Sequence, residues 1–97
     1  MKLRADFNGL FGNVLCLSHS DTAVDDTGGT VSLVAGMVVT AFDDDVDEQG
    51  QPDELLASGT VIASPEWLRC GGSRWALQID DRGVYHESDL KQRNSTN

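Results

Sequence analysis

The sequence predicts an all-β domain: a small barrel or a strongly bent antiparallel sheet with additional N-terminal strands. Two observations carry this. Apolar residues recur at every second position in short runs, the spacing of half-buried strands. Ten glycines, with Asp- and Asn-containing breakers, divide those runs and favour turns over long helices. A chain of 97 residues with 39% hydrophobic content makes one domain with a single modest core. That domain is expected over residues 1–90, with 1–35 as an N-terminal strand extension and 36–90 as the barrel-like part. The polar stretch 91–97 reads as a disordered tail.

The elements follow in chain order. Residues 2–7 alternate, with Leu3, Ala5 and Phe7 on one face. Asn8-Gly9 then gives the strongest short hairpin signal, because both residues tolerate positive φ. Residues 13–18 form a second strand, Val14 and Cys16 opposite Leu15 and Leu17. The polar run 18–29 reads as a loop, followed by a strand at 30–34 and a turn at Ala35-Gly36. Residues 37–42 are apolar and β-branched, as a core strand requires. After an acidic loop over 43–53, strand character resumes at 55–63, where Gly59 reads as a bulge. Ser64-Pro65 opens a short helical turn. A turn at residues 70–73 leads to a strand at 74–79 with Trp75, Leu77 and Ile79 on one face. Asp80 to Gly83 turns the chain into a short strand at 84–86, and a single helical turn at 87–90 closes the domain.

Charge is unevenly distributed. The net charge is -9, yet no Lys or Arg occurs between Ala5 and Leu68, where twelve Asp and Glu lie. Such a surface repels nucleic acid and anionic membranes and attracts cations or basic proteins. No run approaches the ~20 apolar residues of a membrane span. The N-terminal MKLRADFNGL lacks the apolar centre of a secretory leader, so the expected compartment is the cytoplasm, with Cys16 and Cys70 as free thiols.

Over residues 36–90 the order of features resembles a Src-homology-3-like small barrel. Residues 37–43 are similar to its first strand running into the acidic loop, Asp53-Glu54-Leu55-Leu56 to the return, and residues 72–77 to the turn and Trp-bearing strand. Residues 83–90 are similar to its last strand and closing turn. The resemblance covers about 55 of 97 residues and implies architecture only. The family's proline-peptide groove is largely missing: Ala76 follows Trp75, Glu87 stands at the proline position, and Leu90 at the tyrosine position.

The acidic loop carries the sharpest motif. Asp43, Asp45, Asp47, Gln49, Gln51 and Glu54 occupy positions 1, 3, 5, 7, 9 and 12 of a calcium loop, although Glu48 replaces the glycine of position 6. Calcium held by Asp43, Asp45, Asp47 and Glu54 is therefore an alternative reading. A weaker one is a zinc site from Cys16, His19, Cys70 and His86. No nucleophile elbow or phosphate loop supports catalysis, and a barrel this small rarely encloses the ~300 Å³ of a ligand pocket.

The main expectation is a non-enzymatic interaction domain without a cofactor. Phe42, Asp43, Asp44, Asp45, Asp47, Glu48 and Trp67 would contact a basic protein surface. Two versions accompany it: an acidic inhibitor of a basic toxin or nuclease, and self-association into a homodimer through a sheet edge.

Overall fold

The computed structural model describes residues 1–68 and 73–94. Nine strands, one 3-10 turn and one helix follow in the order β1 (Lys2–Arg4), 3-10 turn (Phe7–Gly9), β2 (Leu10–Phe11), β3 (Val14–Ser18), β4 (Thr22–Val24), β5 (Thr30–Ser32), β6 (Val38–Asp43), β7 (Leu55–Ala63), β8 (Trp75–Ile79), β9 (Tyr85–His86) and α1 (Glu87–Asn94). The all-β class holds. Seven strands form one mixed sheet in the order β1-β6-β7-β8-β3-β2, with β9 pairing β7, and β4-β5 form a separate two-stranded sheet. The strand path ends at β1 and β2 among the described residues, so the sheet is open and not a closed barrel. It is also not purely antiparallel: β1 runs parallel to β6, Leu3 opposite Ala41.

Period-two alternation decides what is inside. Leu3, Ala41, Ala57, Leu15, Leu77 and Val61 are fully buried on one face, where the rung Leu15–Leu77–Val61 crosses three strands. The β4-β5 hairpin adds Ala23 and Leu33 to this core. A smaller group lies on the opposite face, where Phe42 pairs with Leu56 and both are buried. β7 is the spine. One edge pairs with β6 along residues 38–43, while the other pairs with β9 at Leu55-Leu56 and with β8 from Gly59 to Ala63.

Four expectations change. Asn8-Gly9 is not the hairpin turn: the Asp6 carboxylate accepts from the Asn8 N–H and Gly9 N–H bonds Asp6 O, which makes a 3-10 turn. The hairpin turn is displaced to Gly12-Asn13, where Gly12 has φ +64°. The polar run 18–29 contains β4, because Thr22–Val24 pair with Ser32–Thr30. Gly59 is not a bulge, since its registers with Val39 and Ile79 run unbroken. The register shift falls instead between Cys16 and Ser18, leaving Leu17 as the extra residue of β3. The helix extends to Asn94, into the stretch read as a tail; residues 95–97 lie outside the described residues.

Cys16 is disulfide-bonded, which overturns the free-thiol expectation for it. The expected turn at 70–73 falls mostly outside the described residues, as does Cys70, the one other cysteine of the sequence. No helix among the described residues is long and apolar enough to cross a membrane.

Candidate functional site

The acidic loop is a small hairpin. Val46 bridges Pro52, Asp53 N–H donates to Asp45 O at 2.9 Å, and Asp47 N–H to Gln51 O at 2.9 Å. Its tip is shaped by Asp47, whose Oδ1 accepts the Gln49 and Gln51 N–H groups, both at 2.9 Å. Asp47 is thus a turn-forming residue, as short carboxylates often are. Gly50 takes φ +79° at that tip, where a side chain would be strained.

The other carboxylates turn to separate partners. Asp43 accepts the Phe7 and Asp44 N–H groups at 3.0 and 2.9 Å. Arg4 Nη1 meets Asp44 Oδ2 at 3.2 Å, and Lys2 Nζ meets Glu54 Oε1 at 2.9 Å. His86 Nε2 lies 2.9 Å from Asp45 Oδ2. Asp53, buried, accepts Ser88 N–H at 2.9 Å and Ser88 Oγ–H at 2.8 Å, capping α1. The alternating oxygens of the calcium reading therefore diverge: Asp43, Asp45, Asp47 and Glu54 each serve a different neighbour. Among the described residues no group of three or more His, Cys, Asp or Glu side chains is arranged to hold a metal. The zinc reading fails at its first ligand, because the sulfur of Cys16 is already bonded.

The expected aromatic anchors do not join the loop. Phe42 is only 3% exposed, its ring covered by Lys2 Nζ at 5.1 Å and Arg4 Cζ at 4.8 Å from the centroid. Trp67 is 58% exposed but lies beyond the far end of β7. The nine residues of β7, eight rises of ~3.3 Å, put about 26 Å of strand between the end of the loop and the start of the segment that bears Trp67. In place of these aromatics, tertiary structure brings in acidic residues from elsewhere in the chain. Asp26 of the β4-β5 turn and Glu87 of α1 act on Lys2, and Asp89 accepts the His86 N–H at 3.0 Å. With the seven carboxylates of residues 43–54, ten acidic groups from three separate segments share one end of the sheet. Lys2, Arg4 and His86 oppose them.

This setting shifts the titration of four groups; Lys2 is raised, chiefly by its hydrogen bond to Glu54. The hydrogen bond to Asp45 raises the pKa of His86; partial burial opposes the rise, and the nearby Asp53 and Asp89 charges add to it. The same bond lowers Asp45, and the Ser88 N–H and hydroxyl lower Asp53. Stability from His86 is complete below its ordinary 6.5 and is lost as pH rises through the raised value. Stability from Asp45 and Asp53 is present above their ordinary 3.8 and is lost as pH falls through the lowered values. Urea midpoints measured from pH 2.5 to 9 are thus expected to be flat between about 4 and 6.5 and to decline on both sides. A midpoint still rising from pH 6.5 to 8.5 contradicts the His86 contribution.

A second feature was not legible in the sequence. A cleft of about 390 Å³ opens beside the C-terminal half of β3, lined by Asp6, Phe11, Cys16, Leu17, Ser18, His19 and Ser73 among others. It exceeds the volume expected of so small a fold because β2 pairs only with Val14 and Leu15, leaving room beside residues 16–18. His19 lies there, on the β3 side of the sheet, while His86 belongs to the acidic end. Comparison with known families, characterised proteins and solved structures gives no match to any family model, sequence or structure.

Proposed function

We propose that this protein is a non-enzymatic interaction domain whose carboxylate-rich end engages a basic surface of another protein. The observation that carries this reading is the gathering of ten carboxylates from residues 43–54, the β4-β5 turn and the start of α1. Set against Lys2, Arg4 and His86 among the described residues, they account for most of the net charge of -9. Charge concentrated this way steers oppositely charged partners and raises association rates. The contact residues are the exposed members Glu48, Asp26 and Asp44, the last still 78% exposed beside Arg4, whereas Asp43, Asp47 and Asp53 are less exposed and bonded to backbone N–H groups that shape and anchor the loop.

Self-association through a sheet edge has less support. β2 is two residues long, and the free side of β1 is met by the Leu3–Asp25 bridge. Short or covered edges resist pairing with a second chain. The compartment enters through Cys16: disulfides persist in oxidising environments and are rare in the cytosol, so this bond weighs against the cytoplasmic expectation.

The test uses the full chain and a lysine oligopeptide as the basic probe. Binding is expected at low salt and to weaken steadily as salt rises. The triple substitution Asp26→Asn, Asp44→Asn, Glu48→Gln should weaken it about tenfold, chiefly in the association rate. Salt-independent binding, or an unchanged rate in the triple variant, would remove the proposal.

A further inference from the structure

We propose that His86 is a pH-sensitive latch, fastening the 43–54 loop to the β9-α1 segment when protonated and loosening it when neutral. The loop is held on two sides. Toward the N-terminus, Arg4 meets Asp44 and the Phe7 N–H meets Asp43. Toward the C-terminus, His86 meets Asp45 and Ser88 meets Asp53. Of these four attachments only His86 changes charge between about pH 5 and 8.

The surroundings of the imidazole make that change consequential. Asp45 and Asp53 face it from the loop, and Asp89 faces it from α1. Glu54 of the loop and Glu87 of α1 join where Glu87 N–H donates to Glu54 O at 2.9 Å, and Lys2, the nearby cation, is paired with Glu54. Protonated, His86 supplies the positive charge among Asp45, Asp53 and Asp89. Neutral, it leaves those carboxylates facing one another, and its bond to Asp45 falls from a charge-assisted to an ordinary hydrogen bond. The ring is 42% and the Asp45 carboxylate 38% exposed, so protons reach both freely.

The mechanical path is short. Asp45 and Asp53 are joined by the Asp53 N–H to Asp45 O bond at the base of the loop hairpin. The Ser88–Asp53 cap keeps one arm in place when His86 is neutral, while the tie of the Asp45 arm, and of the tip beyond it, to β9 weakens. The latch lies within the proposed contact surface but needs no partner to operate, so its test is independent of that reading.

The experiment is an NMR titration of the full chain from pH 5 to 9. The His86 ring resonances are expected to titrate with a midpoint above 6.5, and the backbone amides of residues 46–51 to shift with the same midpoint. Hydrogen-exchange protection of those amides, corrected for intrinsic rates, should fall about threefold across it. Asp45→Asn should lower the His86 midpoint and uncouple the amides. His86→Gln should hold residues 46–51 in one pH-independent state, with the Ser88 amide resonance retained as evidence that the α1 cap survives. Amides 46–51 that stay flat through the wild-type His86 midpoint overturn the latch. So does an unchanged midpoint in Asp45→Asn, or an undiminished amide titration in His86→Gln.

Discussion

Reduction of the disulfide at Cys16 is expected to lower the unfolding free energy by about 3 kcal/mol, the middle of the range for a native disulfide in a small domain. The core explains why this matters. Alanine fills several of its central positions, Ala41, Ala57 and Ala23 among them, and a chain this short buries a modest fraction of its surface. A melting temperature lower by on the order of 20 °C follows for a domain of this size. Paired melts with and without reductant, and the same melt of Cys16→Ser, measure it. A thiol assay under denaturing, non-reducing conditions should detect no free thiol. Two thiols per chain would sink the expectation before any melt is run.

Gly59→Ala is expected to cost about 3 kcal/mol, at the upper end of what overpacking does in a well-packed interior. Gly59 is buried in the middle of β7, opposite Val39 on one side and Ile79 on the other. A Cβ built there overlaps the carbonyl oxygen of Gln78 and approaches its carbonyl carbon to 2.8 Å and Ile79 Cα to 3.0 Å. All three atoms are backbone, so no rotamer change relieves the contact; β8 itself must move from β7. That shift would disturb the rungs of Val61 with Leu77 and Ile62 with Ala76 in the centre of the sheet. A urea titration should show a lower midpoint with an unchanged slope. A midpoint within error of wild type would mean that the two strands accommodate the methyl group and that the close approach is not structural.

Strand positions were legible where the evidence was local. Residues 13–18, 37–42, 55–63 and 74–79 announce themselves by apolar content and alternation, and each becomes a strand within a residue or so. β4 was hidden because Thr22–Val24 carry too few apolar residues to stand out from the polar run around them; the hairpin forms because Val31 and Leu33 bring a partner. Asn8-Gly9 misled because Asp6 offered the backbone a competing side-chain acceptor two residues upstream. Gly59 signals a special position in either reading, but only the neighbouring strand reveals that the demand is space and not a bulge.

The candidate site divides in the same way. The abundance of carboxylates, the absence of Lys and Arg between Ala5 and Leu68, and the inward faces of the main strands are properties of the sequence alone, because composition and period-two alternation need no partner to be read. Where each carboxylate points is not. The attachments of Asp43 to Phe7, Asp45 to His86, Asp53 to Ser88 and Glu54 to Lys2 span 35 to 52 residues of chain. They exist only because β1 lies parallel to β6 and β9 returns to the start of β7. Tertiary structure therefore decided that the regular spacing of the loop makes no cation cage, that Phe42 is covered, and that Trp67 stands at the opposite end of the sheet. A carboxylate takes the donor nearest to it in space, and that donor is chosen by strand order, which no local pattern encodes.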